Sequence, residues 1–273
     1  MSSPFLTLEP TGNKTRWRMP VTADVCVGAS PHVFMFGGVG LGAAALAAEL
    51  TTGRETVWVS AQFLSYARIG DTLELEVEEL NRGFHVSQVR VMAKVAGNPI
   101  LTATAALGER EGIPEDQWSV MPSMPAPEDC VAQPAWPTDE AKLMDRLDIR
   151  VAPDSFAALP MKGRRSDDGR TLMWARAREG AALNTDFLGV LEDFVPSCLS
   201  AAFGMGWGGT SLDNTLRVLR RVPSEWVLCD VRISGSARGF AHGSIYMYAE
   251  DGSLVASGSQ SMIQRYFDIE LRR

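Results

Sequence analysis

The stretch DGSLVASGSQ, residues 251–260, reads as a β-strand leaving a tight Asp251-Gly252 turn. Alternation puts Leu254, Ala256, Gly258 and Gln260 on one face and Ser253, Val255, Ser257 and Ser259 on the other. If the first face is inward, the Gln260 amide must find several hydrogen-bond partners or cost free energy, and a held water molecule is one such partner. Asp193, in LEDFVPSCLSAAFGMGW, is expected near the N-terminal end of a helix, turned away from the stripe made by Leu191, Val195 and Cys198. Taken alone it is a solvated or capping carboxylate. Ser211, in GGTSLDN, is taken alone a turn serine. A chemical role for any of them depends on the fold bringing them together.

Other arrangements carry less. Gly38-x-Gly40-x-x-Ala43 mimics a dinucleotide fingerprint, but the segments after it are hairpin-like instead of βαβ, so close helix packing is the expected use of these glycines. No GxSxG occurs, which argues against a nucleophile-elbow hydrolase. His32, His85 and His242 do not have metal-ligand spacing. Asp24 precedes His32 by eight residues, a loose likeness to the Asp/His pair of a hydratase.

The elements that must position these residues occur twice. Arg82-Gly83-Phe84 returns as Arg238-Gly239-Phe240, each followed by an alternating strand, a Gly-containing turn and a second alternating strand. Upstream of each hairpin lie another strand (TLELEVEELN; EWVLCDVRIS) and an apolar helix. The first helix, Phe36 to Leu50, has almost no polar face and is expected to be buried. In the second, Leu188, Leu191, Val195, Cys198, Leu199 and Ala202 have helical spacing, and Pro196 suggests a regular helix beginning there after an entry turn. Residues 111–140 hold Pro114, Pro122, Pro125, Pro127, Pro134 and Pro137, a density expected to leave no regular element. The division is therefore 1–110, a proline-rich linker at 111–145, and 146–273. Counting without gaps from Gly252 to Gln260, the matching residue after Gly97 is Ala105, so the two halves differ at this position.

Composition sets the bounds. At 45% hydrophobic and 22% charged the chain can bury a sizeable core, and a net charge of −7 argues against nucleic acid as a partner. The N-terminal MSSPFLTLEP has neither a basic nor an apolar targeting region, and no apolar run is long enough to cross a bilayer. Cys26, Cys130, Cys198 and Cys229 are scattered, which fits reduced thiols in a cytoplasmic protein.

The second half resembles the C-terminal half of the acyl-CoA thioesterase II family through SLDNTLRVLRRVPSEWVLCD, ARGFAHGSIY, DGSLVASGSQSMIQR and the Asp193 helix. The first half agrees through FGG at 36–38, SAQFLSYARIGDTLELEVEEL and GNPILTATAAL. The resemblance implies an α+β double hotdog, two tandem repeats of a long antiparallel sheet wrapped around a central helix. It also implies hydrolysis of acyl-CoA by a water held by Asp193, Ser211 and Gln260. Ser211 stands where better-known bacterial members have Thr, and the hydroxyl is kept. Backbone N–H groups of Gly37 and Gly38 are expected to stabilise the oxyanion, and Arg217, Arg220, Arg221 and Arg238 are candidates for holding CoA phosphates. Neither metal nor cofactor is required, and the family's habit implies a homo-oligomer, a dimer or tetramer. Two rival readings are a hotdog hydratase or dehydratase dependent on His32 and a non-catalytic acyl-CoA-binding protein.

Overall fold

The computed structural model describes residues 4–133, 140–155 and 165–267. The first half contains β1 (Glu9–Pro10), β2 (Arg16–Pro20), β3 (Cys26–Val27), β4 (Phe34–Met35), α1 (Gly37–Thr52), β5 (Thr56–Phe63), β6 (Thr72–Arg82), β7 (Val86–Val95) and β8 (Asn98–Gly108). The second contains β9 (Val131–Ala132), β10 (Leu147–Val151), β11 (Arg170–Ala177), α2 (Thr185–Glu192), α3 (Leu199–Phe203), β12 (Trp207–Val218), β13 (Val227–Ala237), β14 (Phe240–Ala249) and β15 (Leu254–Tyr266). Thirteen strands form one antiparallel sheet, in the order β1-β2-β6-β7-β8-β5-β12-β15-β14-β13-β11-β10-β9, and β3 pairs with β4 separately.

That order reads the same outward from its middle: β5, β8, β7, β6 on one side and β12, β15, β14, β13 on the other. The two repeats join edge to edge at β5 and β12, where Ser60 pairs with Thr215 and their hydroxyls lie 2.8 Å apart. Joining the edges satisfies two rows of backbone donors and acceptors that would otherwise face solvent. Helix α1 packs on β5, β6, β7 and β8 and the segment containing α2 packs on β12 and β15, so each half of the sheet wraps a helix of its own repeat. This is the α+β double hotdog architecture.

Helix α1 confirms the buried apolar helix expected from its composition. Its glycines have the packing use that competed with the dinucleotide reading. A Cβ on Gly38 would lie 2.7 Å from the Val190 carbonyl, a Cβ on Gly42 would collide with the Asp186 carbonyl, and one on Gly40 would meet Leu101 at 2.6 Å. Gly189 returns the contact from α2, so the two helices cross almost backbone to backbone. Glycine in a helix interior costs about 1 kcal/mol relative to alanine, and the close crossing is what the missing side chains permit.

Three expectations change. The second helix does not begin at Pro196: residues 185–192 are the helix, followed by a 3-10 turn at Val195–Cys198 and then α3. Proline has no N–H to donate to the Glu192 carbonyl four residues back, so the regular helix stops there. The strand face reading of β15 fails at its start, where a bulge opposite Met247 and Tyr248 shifts the register. Val255 therefore enters the main core, while Leu254 packs against a second cluster of Cys130, Trp174, Trp226, Leu228 and Tyr248. Residues 111–140 do hold regular structure, a 3-10 turn at Pro127–Asp129, where Pro127 fits the first position, and β9. Met121 and Met124 cover the second cluster, and the Gln117 side chain bonds both the Gly252 carbonyl and the Leu254 amide. Pro134 and Pro137 lie outside the described residues.

Gly42→Ala is expected to force the helices apart and lower stability by about 1–3 kcal/mol, the usual range for overpacking. The change is read as a lower denaturant midpoint than wild type, and an unchanged midpoint would mean the crossing relaxes freely.

Candidate active site

Asp193 caps the C-terminal end of α2 and is 3% exposed. Both features correct the sequence reading, which set it at a helix start facing solvent; the break before Pro196 turns the chain so that this carboxylate points into the sheet. Its Oδ1 accepts three hydrogen bonds, from Ser211 Oγ at 2.8 Å, Asn214 Nδ2 at 3.0 Å and Gln260 Nε2 at 2.6 Å. Its Oδ2 accepts the Gly38 backbone N–H at 2.8 Å. Gln260 Nε2 is also 2.6 Å from Ser211 Oγ, so the amide donates to the hydroxyl and the hydroxyl to the carboxylate.

The three sequence candidates are thus brought together, with Gln260 on the inward face of β15 as its alternation required. Asn214 is a fourth member that sequence reasoning missed. In a regular strand, residues 211 and 214 face opposite ways. The register of β12 shifts between Ser211 and Asp213, leaving Leu212 as the extra residue of a bulge, and both side chains turn inward. The signal for Asn214 was its contrast with the first repeat. Gln260 lies between Asn214 and Gly243, and the matching Ala105 lies between Val59 and Val89. Two amides and a glycine in one repeat stand where the other has only apolar side chains.

Burial raises the Asp193 carboxyl above the ordinary aspartate value, while the Asn214, Ser211, Gln260 and Gly38 donors pull it down. A carboxylate that is both ionised and made more basic can accept a proton from water. Glu192, beside it, is fully buried, and neither of its oxygens has a partner. Desolvation, followed by repulsion from Asp193 and Asp213, pushes its carboxyl well above the usual range, which favours the neutral acid. Asn214 Oδ1 and Gln260 Oε1 are likewise buried without partners.

The remaining candidates divide. Gly38 N–H is engaged by Asp193 Oδ2 and is not open to a substrate oxygen, a correction with a plain cause: the electropositive start of α1 has already attracted a buried carboxylate. Gly37 is the first residue of α1, where a backbone N–H has no intrahelical acceptor. The four arginines do not form one cluster. Arg221 is held by Glu49 at 2.6 Å and Glu55 at 3.3 Å, and Arg238 lies in the β13–β14 turn at the other end of the strands. Arg217 is exposed on the outer sheet face, next to the inward Leu216, and Arg220 follows β12. Asp24 pairs with Arg146 and Thr22, while His32, His85 and His242 are all exposed, away from Asp193.

Comparison with known proteins gives the class. Residues 28–108 match the model of the acyl-CoA thioesterase N-terminal domain, and residues 127–264 that of the acyl-CoA thioesterase C-terminal domain. The chain belongs to the acyl-CoA thioesterase family. Among solved structures, a protein from Novosphingobium aromaticivorans DSM 12444, proposed as a thioesterase, is 34% identical, with 95% of this chain and 98% of that one covered and a TM-score of 0.86. A hot dog fold protein of unknown function from Alicyclobacillus acidocaldarius shares the fold at 19% identity, with coverage of 95% and 96% and a TM-score of 0.81. So does an acyl-CoA thioesterase II, TesB2, from Mycobacterium marinum, at 21% identity, 95% and 96% coverage and a TM-score of 0.73. No curated protein sequence matches the chain significantly. Among the described residues no helix is long and apolar enough to cross a membrane.

The buried Glu192 gives a stability test whose sign follows from linkage. At low pH the group is protonated in both folded and unfolded chains and nothing is lost. As pH rises through the ordinary carboxylate range the unfolded chain ionises while the folded one does not, so stability falls until Glu192 itself ionises. Glu192→Gln removes this loss. The variant is expected to gain stability over wild type as pH rises through the ordinary carboxylate range in chemical denaturation, and a pH-independent difference would mean that Glu192 does not titrate this way.

Proposed function

We propose that this chain hydrolyses the thioester of acyl-CoA, with Asp193 as base and orienter of a water fixed by Ser211 and Gln260. The observation that carries the reading is the convergence of three side-chain donors on one buried carboxylate oxygen, beside an amide oxygen, Gln260 Oε1, that has no partner. A water donating one hydrogen to Asp193 and the other to Gln260 Oε1 would satisfy that orphan and turn its lone pair outward. Asn214 adds a donor that keeps the carboxylate ionised.

In this mechanism the water oxygen attacks the thioester carbonyl carbon as Asp193 takes its proton. The carbonyl oxygen becomes an oxyanion, for which the Gly37 N–H at the start of α1 is the donor we favour; Gly38 serves by holding Asp193. Collapse breaks the carbon–sulfur bond, the CoA thiolate leaves, and the proton on Asp193 passes to the products. The three side chains belong to the unit we place at 146–273 and the helix start to that at 1–110, with 111–145 between them. The acyl chain would lie in an apolar channel beside a central helix. For the CoA phosphates Arg217 and Arg220 remain the candidates, Arg221 being ion-paired with two glutamates. Four unpaired, buried cysteines fit a cytoplasmic enzyme of fatty acid metabolism, and a dimer or tetramer follows the family's habit.

Thiol release from acyl-CoAs of short to long chain is the test. Asp193→Asn is expected to lower kcat/KM by roughly a hundredfold to ten-thousandfold and Gln260→Ala by about a hundredfold, with folding intact. Ser211→Thr, which keeps the hydroxyl, should retain most activity. Because burial raises Asp193 and the base must be ionised, wild-type kcat/KM should fall on the acid side with an apparent pKa above that of an ordinary aspartate. Full activity in folded Asp193→Asn would move the site elsewhere, and ester binding without thiol release would favour an acyl-CoA-binding protein.

A further inference from the structure

Glu192 is a buried ionisable group that this mechanism leaves unused, and neither of its oxygens has a hydrogen-bond partner. A buried acid with no hydrogen-bond partner costs free energy, and a leucine would fill the same place without that cost. Its placement is specific. A Cβ on Gly258 would lie 2.5 Å from Glu192 Cγ, 2.9 Å from Glu192 Oε1 and 3.0 Å from the Thr215 carbonyl oxygen, so the glutamate side chain occupies the hollow that this glycine leaves in β15. Gly258 and Gln260 are on the same inward face, separated by two residues or about 7 Å. Consecutive residues at the end of α2 are therefore seated on successive inward positions of one strand, Glu192 over Gly258 and Asp193 against Gln260.

The first repeat lacks the arrangement. Gly258 lies between Leu216 and Ile245, and the matching Ala103, between Ala61 and Val91, has a methyl group where Gly258 has a hollow. The hollow and the acid seated in it occur in the repeat that carries the carboxylate, and a methyl group fills the matching place in the other.

We propose that Glu192 is a positioning residue of the hydrolytic site: seated over Gly258, it pins the end of α2 to β15 and so aims the Asp193 carboxylate at Ser211, Asn214 and Gln260. This rests on the hydrolytic reading of Asp193. Helix α2 ends at Glu192, and the stretch from there to the 3-10 turn at Val195 includes Asp193 itself. Two contacts one residue apart fix both the position and the rotation of that segment, where a single contact would leave it free to turn. An uncharged side chain suits the seat, since a second negative charge there would repel the first.

The test compares Glu192→Gln, Glu192→Ala, Gly258→Ala and the Glu192→Ala/Gly258→Ala double variant, by thiol release and by the side-chain amide signal of Gln260 in nitrogen-15 NMR. Glu192→Ala should lower kcat by about 10- to 100-fold with KM little changed, the cost of a small misplacement of a reacting group, and should shift the Gln260 amide signal. Glu192→Gln, with the same shape, should restore both. Gly258→Ala, which expels Glu192 from its hollow, should reproduce the loss, and the two losses should not multiply in the double variant. Losses that multiply, a Gln variant as impaired as the Ala variant, or an Ala variant with unchanged kcat and amide signal would each overturn the proposal. If the wild type releases no thiol from any ester, the hydrolytic reading fails, and the Gln260 signal alone still decides whether Glu192 positions Asp193.

Discussion

A charge with no solvent must be stabilised by groups fixed in place, and Asp193 sets this requirement for most of the molecule. It stands at the C-terminal end of α2, the wrong end for an anion, because the carbonyl dipoles there point toward it. The compensation comes from another helix: the N-terminal end of α1 crosses at this point and Gly38 donates its amide. Desolvating a carboxylate costs several kcal/mol in practice. A hydrogen bond to a charged group returns about 1.5–3 kcal/mol, so the four donors oppose most of that cost, and burial still leaves the carboxyl raised. The glycines of α1 and Gly189 of α2 follow from this, since a donor on one helix reaches an acceptor on the next only where their backbones nearly touch.

The duplicated sheet supplies the rest. Two similar repeats joined at β5 and β12 would by symmetry make two similar interiors, yet the row Asn214, Gln260, Gly243 is matched by Val59, Ala105, Val89. One interior is an ordinary core and the other is polar at one place. The apolar repeat still contributes, because the amide that meets Asp193 belongs to its helix. A repeat that lacks a polar row can still be necessary to its neighbour's site, and this separates a duplicated fold from two independent domains.

How much of this was legible depended on how long a periodic pattern ran. The hairpins β7–β8 and β14–β15, the strands β6 and β13 and the buried α1 each carry a run of alternation or of apolar residues long enough to show through the bulges within them, and all were expected from the sequence. Gln260 was legible for the same reason, and Ala105 as its counterpart survives in the register of the sheet. The misplacements sit where a pattern is interrupted. Pro196 does not open the second helix but follows its end, so Asp193 moved from a solvated start to a buried cap. Bulges hid Asn214, by adding Leu212, and exchanged the faces of Leu254 and Val255. A one-residue insertion inverts the face of everything beyond it, and composition carries no mark of where it falls.

The same interruptions build the site. Without the bulge at Leu212, Ser211 and Asn214 would face opposite sides of the sheet and Asp193 would lose one of its donors. Without the break at Pro196, a continuing helix would carry the Asp193 backbone past β15 instead of turning it toward Gln260. Regular elements offer two repeats, 3.6 residues and 2.0 residues, and neither alone can converge four donors from a helix start and two strands on one carboxylate at another helix's end. Irregularity at those points is therefore what the convergence demands. The features hardest to read in this chain are the ones its chemistry requires, and Gly258 beneath Glu192 belongs with them: it interrupts the side-chain row of β15 at the one place where an acid from α2 comes to rest.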